Sequence, residues 1–427
     1  MASARRAARE LLDRVSGKPA AAEIHLTVTG TRTCSATVPT ARLVEVDGTT
    51  AHACVRAWTS NGVALVCVED ATEPALAWAL DLATRTAVSN SGATDFPVPS
   101  TQPAAAPEPR DGIPLDQDWR PLVLALVLVV RTEALPVLDI RLTAHHEQIA
   151  TLSTNGVAAA EERDGCTVSA FVSFHHPLEP ADALVSAYDP RDPAAAGEAL
   201  LAELRMLHAI AEETTGDLVT IVPTGMPTVS RPRATARLLA LAAAREFGGH
   251  RATVARPSAA NWSDRLLVVE NPHAEHNPRR RFFDDEGLPT RALTLVTGGG
   301  QRAHLHSTAT AVAAGVAPNG CAARGPSHVP VPGFRGLDLR PTVTGALDVD
   351  DVFVLDDLIV AQEAARGTGD LVALGRLPAG GAFRPVRMVL GRQFLGEFTE
   401  YAHEVVDDGR WDLDGVHGRT VLLDRSR

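Results

Sequence analysis

The run Arg281-Phe282-Phe283-Asp284-Asp285-Glu286-Gly287-Leu288-Pro289-Thr290-Arg291 constrains the fold more than any other part of the chain. Three adjacent carboxylates read as a bend whose oxygens accept backbone N–H bonds and pair with Arg279–Arg281 or Arg291. The other reading makes them a base, or a wall that repels anions. The apolar run Ala292–Val296 follows, then Gly298-Gly299-Gly300 and the segment Arg302–His306. These form a hairpin. The glycines lie between strands and lack the helix that follows a dinucleotide fingerprint. His304 and His306 share one face if the second strand is extended. No third ligand accompanies them, so a partly exposed hairpin is the plainer reading.

The rest of the chain alternates elements in two styles. Residues 5–16 and 73–87 have helical spacing, and between them lie β-like runs at Ala22–Thr29, Arg42–Val46, Ala51–Thr59 and Val63–Val68. Ser60-Asn61-Gly62 joins the last two as a tight turn, because Asn-Gly tolerates positive φ. Residues 89–118 hold six prolines between Pro97 and Pro114 and predict an extended, mobile loop. Leu122–Val130 is the longest apolar run, nine residues, where a membrane span needs about twice that. Strands at Leu138–Thr143, Gln148–Ser153, Cys166–His175 and Asp217–Val222 and helices at Ala194–Glu213 and Arg233–Phe247 follow. From about 250 onward the chain is strand-rich and turn-rich, with further strands at Val349–Val360 and Pro385–Leu390. The expected fold class is α+β: an N-terminal α/β domain with a curled antiparallel sheet over 1–225, and a mainly β C-terminal domain over 226–427.

Several functions are disfavoured. The net charge of -12 argues against binding nucleic acid phosphates or anionic membranes. The N-terminus has no apolar signal region, and the five scattered cysteines form no CxxC pair, so they read as reduced, buried thiols of a cytoplasmic protein. No G-x-S-x-G elbow or P-loop is present. His273-Ala274-Glu275-His276 sits between Asn-Pro pairs and reads as a solvated loop. His145-His146 and His175-His176 point to opposite faces if extended. The acidic residues from Asp348 to Asp357 read as solvated strand ends.

The F-D-D-E-G segment, the strand, glycine turn and second strand, the Ala-containing stretch Ser307–Gly315, Asn319-Gly320 with Arg324, and Pro332–Leu339 together resemble the TldD/PmbA family. That family has two subunit types, which pair as TldD with TldE. In the active type a His-Glu-x-x-x-His motif lies on the helix after the mid-chain strand, with two imidazoles for zinc and the Glu as general base. Here Ala240, Leu241 and Arg245 stand at those positions. The resemblance therefore implies a metal-free, TldE-like subunit with no catalytic residues and no cofactor of its own, with zinc held by a TldD-like partner. It implies a peptide substrate held as an added strand. Asp284, Asp285, Glu286, Gly287, Arg291, His304, His306 and Asn319 would then form the substrate groove or a structural motif. A stand-alone peptide-binding or scaffold protein, or an enzyme with a rearranged His/Asp/Glu site, are the alternatives. Both ordinary proteolysis and natural-product peptide maturation fit such a chain.

Overall fold

The computed structural model describes residues 2–15, 21–60, 62–87, 115–172, 183–189, 192–213, 219–221, 227–247, 262–325, 327–341, 352–359, 371–379, 382–390, 398–406, 409–411 and 415–423. The first part contains α1 (Ala2–Val15), β1 (Ala21–Thr37), β2 (Arg42–Thr59), β3 (Gly62–Val68), α2 (Glu73–Thr86), α3 (Arg120–Thr132), β4 (Val137–Ser153), β5 (Ala158–Val172), β6 (Ala183–Asp189) and α4 (Pro193–Glu213). Then come β7 (Val219–Ile221), β8 (Thr228–Ser230), α5 (Pro232–Glu246), β9 (Leu266–Glu270), β10 (Leu293–Thr297), β11 (Gly300–Gln301), α6 (Thr308–Ala314), β12 (Ala322–Arg324), β13 (Pro330–Pro332) and β14 (Leu337–Pro341). The last are β15 (Phe353–Ile359), β16 (Leu371–Ala379), β17 (Ala382–Leu390), β18 (Ala402–Val405), β19 (Arg410–Trp411), β20 (Val416–Gly418) and β21 (Val421–Leu423).

The fold is mixed α and β with largely antiparallel sheets and no closed barrel. The first sheet has the order β3-β2-β1-β4-β5-β6, every neighbour antiparallel. Side chains alternate across a strand, so residue parity assigns the faces. Even residues at the two ends of β1 are apolar: Ala22, Ile24 and Leu26 pack with α1 and α2 at one end, while Cys34 and Ala36 pack with α3 and α4 at the other. Two helix pairs thus cover one face of the same long strands. The odd residues Glu23 and His25 point the other way, and β2 continues that face with Cys54 and Arg56, their register partners. This second face is polar and still buried. It therefore needs partners from elsewhere in the chain.

Those partners come from the C-terminal half. A second sheet, β11-β10-β9-β14-β20-β19, and a third, β18-β21-β8-β15-β16-β17-β7, share one core with α5. Leu238, Leu239, Ala242 and Ala243 of α5 pack there against Val268, Leu337, Phe353 and Val416. β7 joins this third sheet through β17. Alanine and leucine favour the helix, and Pro232 occupies its first turn, where no backbone donor is lost.

The β2–β3 hairpin closes with Thr59 opposite Gly62, and Asn61 lies outside the described residues. The apolar run 122–130 is helical, within α3, and no described helix is long and apolar enough to cross a membrane. The proline-rich stretch falls outside the described residues up to 114, as does His175-His176, while 115–118 form a turn into α3.

Gly418 shows how tightly α5 sits. A Cβ there would lie 1.9 Å from the Pro232 carbonyl oxygen and 2.9 Å from the Ala236 Cβ. Gly418→Ala should therefore force α5 off β20 and cost about 2–3 kcal/mol in urea unfolding. A loss below about 0.5 kcal/mol would contradict this packing.

Candidate functional site

The acidic segment folds as a miniature hairpin. Phe283 and Pro289 form a single antiparallel bridge, and the Asp284 N–H donates to the Leu288 carbonyl at 2.8 Å. At the tip, Gly287 has φ +76. A Cβ there would lie 2.4 Å from Val157 Cγ1 and 3.4 Å from Ala159 Cβ, so only glycine lets the tip meet the β4–β5 turn.

Asp284 stabilises the bend from within. Its Oδ1 accepts the N–H groups of Glu286 and Leu288, both at 2.9 Å, and its Oδ2 accepts that of Ala322 at 3.1 Å. Burial, then the charge of Glu286, pushes its carboxyl up to about 8 against those bonds. Asp285 is the ionic centre. Its Oδ1 meets Arg281 Nη2 at 2.9 Å, and its Oδ2 accepts the Arg324 N–H at 2.7 Å and meets Arg335 Nη2 at 2.7 Å. Burial pushes Asp285 up, but Arg335 and Arg281 outweigh it and hold the carboxyl far below the usual range. Glu286 reaches the first sheet: Oε1 meets Arg56 Nη2 at 3.2 Å, while Oε2 accepts the Thr308 N–H at 2.7 Å at the start of α6.

The network closes through the polar face of that sheet. Arg56 also pairs with Glu23 at 2.9 Å, and Glu23 pairs with Arg324. Arg281 faces Glu161, whose other oxygen accepts the Phe282 N–H at 2.8 Å. The Arg281 Nε and Glu161 Oε1 make an ion pair but are not aligned as a hydrogen bond. Behind Arg335, Glu270 Oε1 accepts the Arg335 N–H at 2.7 Å. Burial raises Glu270 to about 7, against the N–H bonds of Arg335 and Gly336. His25 donates to or accepts from Thr151 Oγ1 at 2.8 Å, and burial drives its imidazole far below its ordinary value. These carboxylates are committed to structural partners, which leaves none aimed at open space as a base. Arg291 is exposed and stands apart from the network.

The second strand expected over Arg302–His306 is shorter: β11 ends at Gln301. Beyond it a side chain replaces the missing strand partner. The Asn319 Nδ2 donates to the His304 carbonyl at 2.7 Å, and the His306 N–H donates to Asn319 Oδ1 at 3.0 Å. His304 and His306 are therefore buried, not partly exposed, with ring centroids 6.2 Å apart. Burial lowers His306. The His273–His276 segment is turns, as its Asn-Pro flanks imply, with His273 Nε2 2.8 Å from Thr290 Oγ1. On α5, Ala240 and Leu241 pack against the apolar core. The Arg245 side chain lies outside the described residues.

Among the described residues, one group of metal-ligating side chains draws together: His52, Cys54, Cys67 and His328, their ligand atoms within 4.8 Å of one another. A search for CxxC spacing misses it. The signal was in the hairpin register, since Cys54 and Cys67 are each five residues from the Thr59/Gly62 turn pair.

Residues 223–375 match the model of the PmbA/TldA metallopeptidase C-terminal domain. That match takes in the acidic hairpin, Asn319, α5 and Arg335, so the joint just described is built largely within a PmbA/TldA-type domain. That stretch of the chain is therefore of the PmbA/TldA type. Over the whole chain the fold is similar to TldE from Thermococcus kodakarensis, with TM-score 0.77 and 15% identity over 98% of this chain and 97% of that one. It is also similar to a candidate modulator of a DNA gyrase from Thermotoga maritima, with TM-score 0.74 and 14% identity over 98% of both chains. A candidate modulator of DNA gyrase from Bacteroides thetaiotaomicron gives TM-score 0.66 and 15% identity, again over 98% of both. No curated protein matches the sequence.

Two outcomes test the network. Asp285→Asn places an amide among the donors of Arg281, Arg324 and Arg335, so it should cost about 3–5 kcal/mol in urea unfolding. A loss below about 1 kcal/mol would show that Asp285 does not hold the joint. Glu270 ionises near 4.5 when unfolded and near 7 when folded. The folded state keeps a proton that the unfolded state has lost, so this contribution is full below the lower value and lost as pH rises through the upper one. Glu270→Gln cannot titrate. Its stability relative to the parent chain should therefore rise by on the order of 2 kcal/mol between about pH 5 and about pH 8. A constant difference across that range would refute the assignment.

Proposed function

We propose that this chain is the non-catalytic subunit of a TldD/TldE-like heterodimeric metalloprotease that processes peptides in the cytoplasm. It shapes the substrate tunnel of a zinc-bearing, TldD-like partner. The observation that carries the reading is on α5. Where the active subunit type would hold a histidine and its glutamate, this helix has Ala240 and Leu241, both packed against the apolar core. A methyl group and an isobutyl group neither coordinate zinc nor accept a proton. The chain thus supplies no catalytic zinc ligand there.

Other features support the same reading. The fold resembles a protein described as TldE. The five cysteines are free thiols, which suits a reducing compartment. Val312 in α6 and Val316 just after it, with Val329 before β13 and Val331 within it, are large apolar side chains at least 42% exposed, the kind of surface an obligate subunit interface covers. A subunit without ligands still aids catalysis by excluding water and holding an extended peptide in register.

The test is to express this chain and a homologue bearing His-Glu-x-x-x-His separately and together, then measure mass in solution and peptide cleavage. A heterodimer burying more than about 2,000 Å² is expected, with cleavage only when both are present. A monomeric partner that cleaves fully without this chain would refute the proposal.

A further inference from the structure

Next to the acidic network the polar face of the first sheet carries groups that no ion pair uses. Cys54 and Cys67 are register partners across β2 and β3, so their side chains share a face. His52 precedes Cys54 by two residues and shares that face too. His328 reaches them from the turn between β12 and β13, some 260 residues further on in sequence. We propose that His52, Cys54, Cys67 and His328 bind one zinc ion in a closed, structural site. That ion clamps the β2–β3 hairpin to the C-terminal half of the chain.

The geometry suits four-coordination. All four ligand atoms lie within 4.8 Å of one another, and the Cys54 Sγ is already 3.2 Å from His52 Nε2. A tetrahedral zinc with two thiolates and two imidazoles places its ligand atoms about 3.3–3.8 Å apart, so small rotamer adjustments complete the cage. The His52 and His328 rings stand 4.5 Å apart at 36°, tilted rather than stacked flat on each other. His328 has φ +56, a left-handed backbone that a non-glycine residue adopts only when its surroundings hold it. They do: the His328 N–H donates to the Gly325 carbonyl at 2.8 Å, and Arg324 Nη1 donates to the His328 carbonyl at 2.6 Å.

The donor set selects the metal. Two thiolates with two imidazoles favour zinc over magnesium or calcium, which require oxygen. Four protein ligands leave no open position, so the ion is structural and not catalytic. Binding expels the two thiol protons to solvent and leaves the zinc and two thiolates neutral together. The guanidinium of Arg324 is nearby, but its charge is met by Glu23. The proposal departs from the expectation of a chain with no metal of its own: the ion is non-catalytic, lies away from α5, and sits at the joint between the sheet and the β12–β13 turn.

The test uses the full chain, purified reduced, stripped with a chelator and titrated with cobalt(II). One cobalt per chain is expected, with thiolate-to-cobalt charge-transfer bands and the intense visible bands of a tetrahedral site, both erased by zinc. His328→Asn, which tolerates the left-handed backbone, should weaken binding more than about 100-fold, since losing even an outer-shell partner costs about 10–100-fold. His276→Asn should leave it unchanged. A measurement on the unmutated chain guards against misfolded variants. Alkylation mapped by mass spectrometry should be slow at Cys54 and Cys67 with zinc and fast after chelation, while Cys34 and Cys166 show no such change. Absent thiolate bands, alkylation that ignores the metal, or a Cys54–Cys67 disulfide in freshly purified protein would each overturn the proposal.

Discussion

Asp285 between Arg281 and Arg335 is the centre of the ionic network through which the two halves of the molecule meet. Taking a carboxylate and two guanidinium groups out of water costs several kcal/mol per ion, and mutual attraction repays it only when nearly every remaining donor and acceptor is met. Here the repayment extends outward. Arg281 continues to Glu161, Arg324 to Glu23, and Glu23 through Arg56 to Glu286. Backbone N–H groups from Ala322, Arg324, Phe282 and Thr308 also donate to carboxylates of this cluster, while the Nε atoms of Arg56, Arg281 and Arg335 find no hydrogen-bond acceptor among the described residues. Such a joint is all-or-none. Removing one member strands a charge, and nothing in the buried interior replaces it.

That joint explains the unusual first sheet. An antiparallel sheet often leaves one face to water. This one buries both, the apolar face under four helices and the polar face under the acidic hairpin and β12–β13. Two chemistries on one set of strands require strict register, because a slip of one residue would turn Ile24 toward the ions and Glu23 toward the helices. The Gly287 tip, wedged against Val157 and Ala159, and the β2–β3 hairpin restrict such a slip at two separate places.

Much of this was legible in the sequence, and what was not is long-range. The β2–β3 hairpin, the α4 and α5 periodicity and the bend at Asp284–Glu286 each rest on interactions within about ten residues, which local patterns encode. Arg281 could be named as a partner of the bend because it is four residues from Asp285. Arg335, Arg56 and Glu161 could not, since only the tertiary fold brings them there. Glu23 and His25 did leave a trace, as titratable residues alternating with apolar ones in a strand whose polar positions pass for solvent-facing. His304 and His306 misled for the opposite reason. Their alternation suggests a strand, yet Asn319 replaces the strand partner with a side-chain amide, and a pattern of residue types does not reveal that substitution.

The acidic segment carries the family resemblance, and in this molecule its carboxylates are bound into the joint. A signature of that kind marks the demands of the fold before it marks any chemistry. Its presence in a chain whose α5 has no histidine is then expected whether or not the segment meets substrate, because Asp285 holds Arg281 and Arg335 and Gly287 lets the tip reach the β4–β5 turn. The positions on α5 follow a different logic. A histidine and a glutamate on that helix would need a polar cavity beside them. Ala240 and Leu241 instead complete an apolar core with Leu238, Leu239 and Phe353. The helix therefore serves this core as a packing element.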